Sequence, residues 1–206
     1  MEMRHLINLV ERANWNPLSD PKFRAWFGES NLVDEHGIPL VFFHGTGSGQ
    51  DIAAFRTGKE LKKKERAPAI YFTTNPEYAS NYAGQAVSGN QPAIYPVYLR
   101  GRIFDPSKEA DLNALFSDPS IRRVMNDGSM VGRLKAQEYQ TYIPKGNCKV
   151  LEQPRIQNAL KRLGYDGYMT NEVGKMNVAI FDPSNIKSVY NAGSWNPDSP
   201  RISENA

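Results

Sequence analysis

The chain has little cysteine, little histidine and no long apolar run in its 206 residues. Its one cysteine, Cys148, excludes an internal disulfide and a metal cluster built on cysteines. The three histidines, at positions 5, 36 and 44, are too scattered to indicate a metal site. No stretch approaches the ~20 apolar residues of a membrane span, and charged residues interrupt the short apolar start, unlike the core of a signal peptide. These absences predict a cytoplasmic protein that uses no metal.

Net charge and composition are those of an ordinary globular protein. Hydrophobic residues make up 40% of the chain, and 25 Lys and Arg stand against 22 Asp and Glu, a formal charge of +3. That surplus is too small to indicate nucleic-acid binding without a local basic face. We predict one domain at residues 31–190, with an N-terminal helical extension at residues 1–30 and a loosely packed tail at residues 191–206.

Capping residues and hydrophobic periodicity predict several helices. The clearest has Ser19 or Asp20 as its N-cap, Pro21 in its first turn and Gly28 after its end. Its three aromatic residues share one face, which favours packing against the main domain over a ligand site. Other helices are predicted at residues 3–13, 76–83, around 112–116 and 121–125, and at 152–163.

Short runs rich in β-branched and aromatic residues predict the strands. They lie at residues 38–43, 69–73, 93–104, 167–170, 177–181 and 186–190. Pro96 argues that the third of these strands lies at a sheet edge or contains a bulge. The segment from Asn171 to Lys175 is predicted to be a turn, and residues 47–67 a polar loop.

Three short segments carry candidate functional residues. The first strand leads into His44-Gly45-Thr46. The second strand and the helix after it contain Tyr71 and Tyr82, eleven positions apart. The closing segment contains Glu172 and Asn177. Each segment alone is a weak signal, and their order along the chain is what indicates a function.

This order resembles the ADP-ribosyltransferase superfamily, in its His–Tyr–Glu branch of poly(ADP-ribose) polymerases and diphtheria-type toxins. From Ile38 to Ile186 the chain is similar to ADP-ribosyltransferase domains of phage and prophage polyvalent proteins. The resemblance implies an α+β fold in which a split β-sheet core, two small and mainly antiparallel sheets, forms an NAD cleft surrounded by helices. It implies transfer of ADP-ribose from NAD to a protein or nucleic-acid acceptor, by an enzyme that serves as a phage effector or toxin. We expect the product to carry a single ADP-ribose, because the sequence contains no recognisable chain-elongation element.

The resemblance also implies roles for particular residues. His44 would hydrogen-bond a ribose hydroxyl of NAD, the backbone of Gly45 would pair with the nicotinamide carboxamide, and Thr46 would shape that turn. Tyr71 and Tyr82 would hold the nicotinamide ring between them. Stacking and cation–π attraction of ~0.5–2 kcal/mol suit a flat cationic ring. Because the bond to ribose breaks through an oxocarbenium-like cation, the reaction also needs a nearby carboxylate.

The chain departs from the polymerase pattern at two places. Where the polymerases have a serine three residues before the second tyrosine, this chain has Ala79, with Ser80 next to it as the remaining NAD-binding candidate. Where they have the catalytic glutamate, this chain has Asn177, whose amide can bind NAD by a hydrogen bond to the ribose but supplies no negative charge. We therefore expect Glu172, in the preceding turn, to be the acid. Asp166 is a further candidate, although its flanking glycines favour a helix-to-strand turn.

Other functions remain open from the sequence. Asn177 suits a module that binds NAD or ADP-ribose without catalysis, and water as acceptor would make the protein an NAD glycohydrolase. An RNA 2′-phosphotransferase on the same fold would need a His–Arg constellation, which we do not find. The cations from Lys59 to Arg66 suit the NAD pyrophosphate or a nucleic acid, but a solvated loop is the simpler interpretation.

Overall fold

The computed structural model describes residues 16–47, 52–57, 69–84, 92–172, 174–191 and 195–203. The strands in these ranges are β1 (Val41–Thr46), β2 (Ile70–Thr73), β3 (Ala93–Leu99), β4 (Ile103–Phe104), β5 (Gly167–Glu172), β6 (Lys175–Ile180) and β7 (Ile186–Ser188). The helices are α1 (Pro21–Phe27), α2 (Pro76–Ala83), α3 (Glu109–Ser117), α4 (Pro119–Met125), α5 (Met130–Tyr142), α6 (Cys148–Leu151) and α7 (Pro154–Arg162). The predicted α+β fold class is confirmed. The helix predicted at residues 3–13 and the cations from Lys59 to Arg66 lie outside the described residues.

The strands form one sheet in the order β4-β5-β6-β2-β1-β3-β7. Neighbouring strands are antiparallel except for β4 and β5. The two separate sheets that we expected are instead two halves joined between β1 and β2, where the register contains the single pair Phe43↔Thr73. On either side the ladders are longer, with six pairs between β1 and β3 and four between β2 and β6. The sheet is therefore continuous, and its pairing is shortest at the seam between β1 and β2.

Hydrophobic clusters cover both faces of the sheet. On β2, Ile70 and Phe72 belong to one cluster with Phe42 and Val178, whereas Tyr71 packs against the other cluster. Side chains alternate between faces along a strand, so the two clusters lie on opposite faces. The cluster at Tyr71 is formed largely by the helices from α3 to α7. Tyr71 and Phe72 therefore present their side chains to opposite faces of the sheet.

The segment before β1 packs against the domain through its aromatic residues. Asp20 caps α1 by accepting a hydrogen bond from the Lys22 backbone, and Gly28 follows the helix with φ of 55°. Phe23, Trp26 and Phe27 form a cluster with Tyr98 and Trp195. This confirms that the aromatic face of α1 serves packing. None of the described helices is long and apolar enough to cross a membrane.

The C-terminal segment is packed where the structure describes it. Trp195 is 2% exposed and Ile202 is 4% exposed. The buried ammonium of Lys187 donates to the backbone carbonyls of Ser199 and Arg201, at 2.9 and 2.8 Å. The prediction of a loosely packed tail is therefore wrong for residues 195–203. Two buried apolar side chains and the buried Lys187 ammonium hold this polar segment to the rest of the domain.

Two predictions about the third strand need correction. The predicted strand at residues 93–104 is broken after Leu99, because Gly101 has φ of 124° and the chain turns there into β4. Strand β3 is not an edge strand, since β7 pairs with it from Val97 to Leu99. Pro96 lies just before that pairing begins, so its missing N–H removes no ladder bond there.

In the segment between β4 and β5, the two short helices predicted around residues 112–116 and 121–125 are present as α3 and α4. Helix α5 was not predicted, because its exposed apolar residues obscure the periodicity. They are Met130, Val131 and Leu134.

Candidate active site

Glu172 lies at the end of a β-hairpin. Strands β5 and β6 pair along their length as far as Glu172 and Lys175. Gly174 turns the chain between them with φ of 72°, a conformation that glycine adopts without a steric penalty. The turn is therefore shorter than the predicted segment from Asn171 to Lys175, because the ladder continues into it. Strand pairing holds Glu172 in place, and it is not carried on a mobile turn.

The carboxylate of Glu172 accepts several hydrogen bonds on one oxygen. The Tyr78 hydroxyl and the Asn177 amide Nδ2 each donate to Glu172 Oε2 at 3.0 Å. The Tyr82 hydroxyl is 3.5 Å from the same oxygen, at the limit of a hydrogen bond. The rings of Tyr78 and Tyr82 are one helical turn apart on α2, with centroids 5.5 Å apart and planes at 81°. Two tyrosines of α2 and an amide of β6 thus meet at this carboxylate.

These partners of Glu172 are all neutral. In the parts of the chain that the structure describes, no lysine or arginine forms an ion pair with Glu172, although Lys175 is opposite it in the hairpin. Hydrogen bonds stabilise the negative charge without a cation to cancel it. The Tyr82 hydroxyl, burial and the Glu172 carboxylate together raise the pKa of Tyr78. Burial, followed by a hydrogen bond with Glu172, raises the pKa of the Cys148 thiol, so this thiol is protonated at neutral pH.

Asn177 is more deeply buried than Glu172. It lies within β6 between Thr73 of β2 and Thr170 of β5, and its side chain is 4% exposed. Its Oδ1 and the Thr170 hydroxyl are buried without a hydrogen-bond partner among the described residues. The strand begins at Lys175, two residues earlier than predicted. Asn177 therefore forms part of the sheet beneath Glu172, with one unused acceptor.

A second hydrogen-bonded group lies beside the first and contains Tyr71. The Tyr71 hydroxyl donates to Glu152 Oε1 at 2.9 Å and is 2.7 Å from the Tyr168 hydroxyl. Gln157 Nε2 donates to Tyr168 at 2.7 Å, so the donors run from Gln157 through Tyr168 and Tyr71 to Glu152. Burial, with Tyr168 and Glu152 as further causes, raises the pKa of Tyr71 far above its ordinary value. The phenol of Tyr71 is a neutral, fully engaged hydroxyl.

His44 lies at the seam of the sheet. Its Nδ1 is 2.8 Å from the Tyr71 carbonyl oxygen, which can only accept, so Nδ1 carries the proton and donates. Burial lowers the pKa of His44, partly offset by this hydrogen bond, and the ring is neutral at pH 7 with Nε2 as an acceptor. The centroid of the His44 ring is 4.9 Å from that of Phe55 and 5.5 Å from that of Phe72. The His44 ring therefore lies on the opposite face of the sheet from the Tyr71 ring. The two residues are in contact through the Tyr71 carbonyl.

Gly45 allows helix α2 to lie directly on β1. A Cβ at Gly45 would be 1.8 Å from the Ala79 carbonyl oxygen and 3.2 Å from the Ala83 nitrogen. The expected role of Gly45 in admitting the nicotinamide carboxamide stays a prediction, and what the structure shows is that this glycine admits a helix. Thr46 ends β1. The Ser80 hydroxyl donates to the Glu77 carbonyl of its own helix at 2.7 Å.

The structure separates Asp166 from this group. Asp166 precedes β5, whereas Glu172 ends it, and six strand residues span roughly 20 Å. Its carboxylate accepts a hydrogen bond from the Arg102 backbone at 2.8 Å, and its backbone N–H donates to the Arg102 carbonyl. Asp166 thus closes the turn from α7 into β5, as its flanking glycines suggest.

Among the predicted site residues, Tyr82 and Asn177 each contact Glu172, whereas the His44 ring lies on the other face of the sheet, against Phe72. Sequence reasoning missed Tyr78, although its position four residues before Tyr82 on a predicted helix places the two rings on one face. It also missed Glu152 and Cys148, for which no local signal exists. In the described ranges, no three His, Cys, Asp or Glu side chains are grouped so that they could hold a metal ion.

The comparisons with known proteins identify the family. The family described as ADP-ribosyltransferase in polyvalent proteins matches residues 34–196, which is most of the chain. The chain belongs to this family. No curated protein and no solved structure matches the chain. ADP-ribosyltransferases use NAD as a substrate and transfer its ADP-ribose to an acceptor, and the matched residues include His44, Tyr71, Tyr82 and Glu172.

Proposed function

We propose that this ADP-ribosyltransferase transfers a single ADP-ribose from NAD to a macromolecular acceptor, with Glu172 as its catalytic carboxylate. The observation that carries the proposal is the arrangement around Glu172. Its carboxylate is half-buried, has three neutral donors on Oε2 and lies against the helix that presents Tyr82. A carboxylate without a cationic partner is suited to stabilise positive charge that develops on a substrate.

The reaction that we propose breaks the bond between the nicotinamide nitrogen and C1′ of its ribose. The electron pair of that bond leaves with nicotinamide, which becomes a neutral heterocycle, so no acid is needed to protonate it. Positive charge spreads over C1′ and the ring oxygen of the ribose, where the Glu172 carboxylate would stabilise it. The acceptor then forms a bond to C1′ and loses a proton to solvent or to a nearby base.

The aromatic residues support nicotinamide binding. Tyr82 is 45% exposed, so its ring has a face available for stacking, while its hydroxyl points to Glu172. The Tyr71 ring, held through its hydroxyl, would supply the second wall. The neutral His44, with Nε2 as acceptor, would take a hydrogen bond from a ribose hydroxyl at the seam of the sheet. Gly45, Thr46 and Ser80 complete the proposed NAD-binding set.

The experiment supplies NAD labelled in its adenylate part to the protein and a cell lysate. We expect nicotinamide release together with label on macromolecules that either protease or nuclease removes, which identifies the acceptor as protein or nucleic acid. Nicotinamide release with all label in free ADP-ribose would show a glycohydrolase. Binding of NAD without nicotinamide release would show a non-catalytic module and refute the proposal.

A further inference from the structure

The amide of Asn177 is buried directly against the Glu172 carboxylate. Its Nδ2 donates to Glu172 Oε2 at 3.0 Å, and a carboxylate can only accept, so the amide orientation follows from this contact. The side chain is 4% exposed and β6 is paired on both sides. Asn177 thus has no room to swing towards a substrate, whereas Glu172 lies above it at the end of β5.

We infer that Asn177 is a positioning residue that holds Glu172, and that a carboxylate at position 177 would impair the site. The inference rests on the proposed function of Glu172. A simpler view is that position 177 has lost a catalytic acid and that catalysis is weaker as a result, and the inference contradicts that view. What position 177 contributes is the hydrogen-bond donor of its amide, not a charge.

Two carboxylates at this separation resist simultaneous ionisation. An aspartate at 177 would place a second negative charge beside Glu172 in a buried part of the sheet, and like charges this close share one proton. When the pair holds that proton, the protonated aspartate can donate to Glu172 as the asparagine does. When the pair is fully ionised, the two groups repel each other and the Glu172 carboxylate loses its support from β6.

Several other ionisable groups surround this pair. Tyr78 and Tyr82 face it from α2, Cys148 from α6 and Lys175 from across the hairpin, while Glu152 lies near Cys148. Tyr78 and the Cys148 thiol stay neutral from pH 5 to 8, since the environment raises the pKa of both groups. A change that is specific to Asn177→Asp over this range therefore reports the new carboxylate.

The experiment compares Asn177→Asp with Asn171→Asp in the full chain. Asn171 is exposed one residue before Glu172 and its side chain is on the other face of β5, so the control adds the same charge without the contact. We expect kcat for nicotinamide release by Asn177→Asp to fall at least about tenfold at pH 8, with KM for NAD nearly unchanged. The deficit should shrink towards pH 5.5, and Asn171→Asp should follow the wild type.

Melting temperatures supply a second readout that does not depend on activity. The melting temperature of Asn177→Asp should fall below that of the wild type at pH 8 and approach it at pH 5.5. Wild-type kcat at pH 8 in Asn177→Asp, or a melting difference that is independent of pH, would overturn the inference. If the wild type itself releases no nicotinamide, the proposed function fails, and the melting comparison still decides whether position 177 supports Glu172.

Tyr78→Phe is a second variant that tests the same carboxylate from the helix side. It removes the other 3.0 Å donor to Oε2 and keeps the ring. We expect a several-fold lower kcat with unchanged KM for NAD. Unchanged kcat in Tyr78→Phe together with unchanged kcat in Asn177→Asp would show that these hydrogen bonds do not position Glu172.

Discussion

Replacing Gly45 by alanine tests whether α2 is held against β1 by the close approach that we observe. The added Cβ would be 1.8 Å from the Ala79 carbonyl oxygen, a distance at which the helix or the strand must shift. Backbone atoms cannot rotate away as a flexible side chain can. Overpacking of this kind costs typically about 1–3 kcal/mol, and each kcal/mol lowers the melting temperature of a domain of this size by about 2–4 °C. We therefore expect Gly45→Ala to melt roughly 2–12 °C below the wild type.

The same shift has a functional consequence, because α2 carries Tyr78 and Tyr82. Moving the helix away from β1 lengthens their contacts with Glu172, so nicotinamide release should fall in Gly45→Ala even below its melting temperature. Gly128→Ala is the matched control, since a Cβ at Gly128 meets nothing within 4 Å. Calorimetry and the nicotinamide assay measure both effects. Equal melting temperatures for the two variants would refute the reasoning from close packing.

The remaining predictions concern the aromatic wall and the histidine. Tyr82→Ala should weaken NAD binding about fivefold in calorimetric titration, since a lost stack is worth on the order of 1 kcal/mol, and Tyr82→Phe should change it little. Tyr71→Phe should lower the free energy of unfolding by about 0.5–1.5 kcal/mol in urea titrations, because its hydroxyl bonds both Glu152 and Tyr168. Burial lowers the pKa of His44 from 6.5, so the neutral ring contributes stability above that pH that is lost progressively as the pH falls. The wild type should therefore lose more free energy of unfolding than His44→Gln between about pH 7 and about pH 5.

Helices with local punctuation could be predicted from the sequence. Helix α2 begins after Asn75, whose side chain accepts from the Tyr78 backbone, and it ends before Gly84. These signals lie within a few residues of the helix, so no tertiary contact is needed to find them. The family resemblance likewise depended on the order of short segments, which is visible in the sequence without knowledge of the fold.

The contacts that make the site could not be predicted in the same way. Tyr78 and Glu172 are 94 positions apart, and Tyr71 and Glu152 are 81 apart. The order of the strands in the sheet brings these residues together, and the single pair Phe43↔Thr73 joins β2 to β1. The packing of Trp195 was missed for a similar reason, because its polar neighbours predict a loose segment and its partners lie in α1 and β3.

The most direct test of the central claim is the nicotinamide-release rate of Glu172→Gln. The amide keeps the shape of the side chain and removes the charge. We expect kcat to fall by roughly 10²–10⁴-fold while NAD affinity changes little, which is the scale for loss of one electrostatic contributor. Glu109→Gln, at an exposed position of α3, is the control and should match the wild type. Wild-type kcat in Glu172→Gln would contradict the account, because the carboxylate on which three neutral donors converge would then have no part in breaking the bond to nicotinamide.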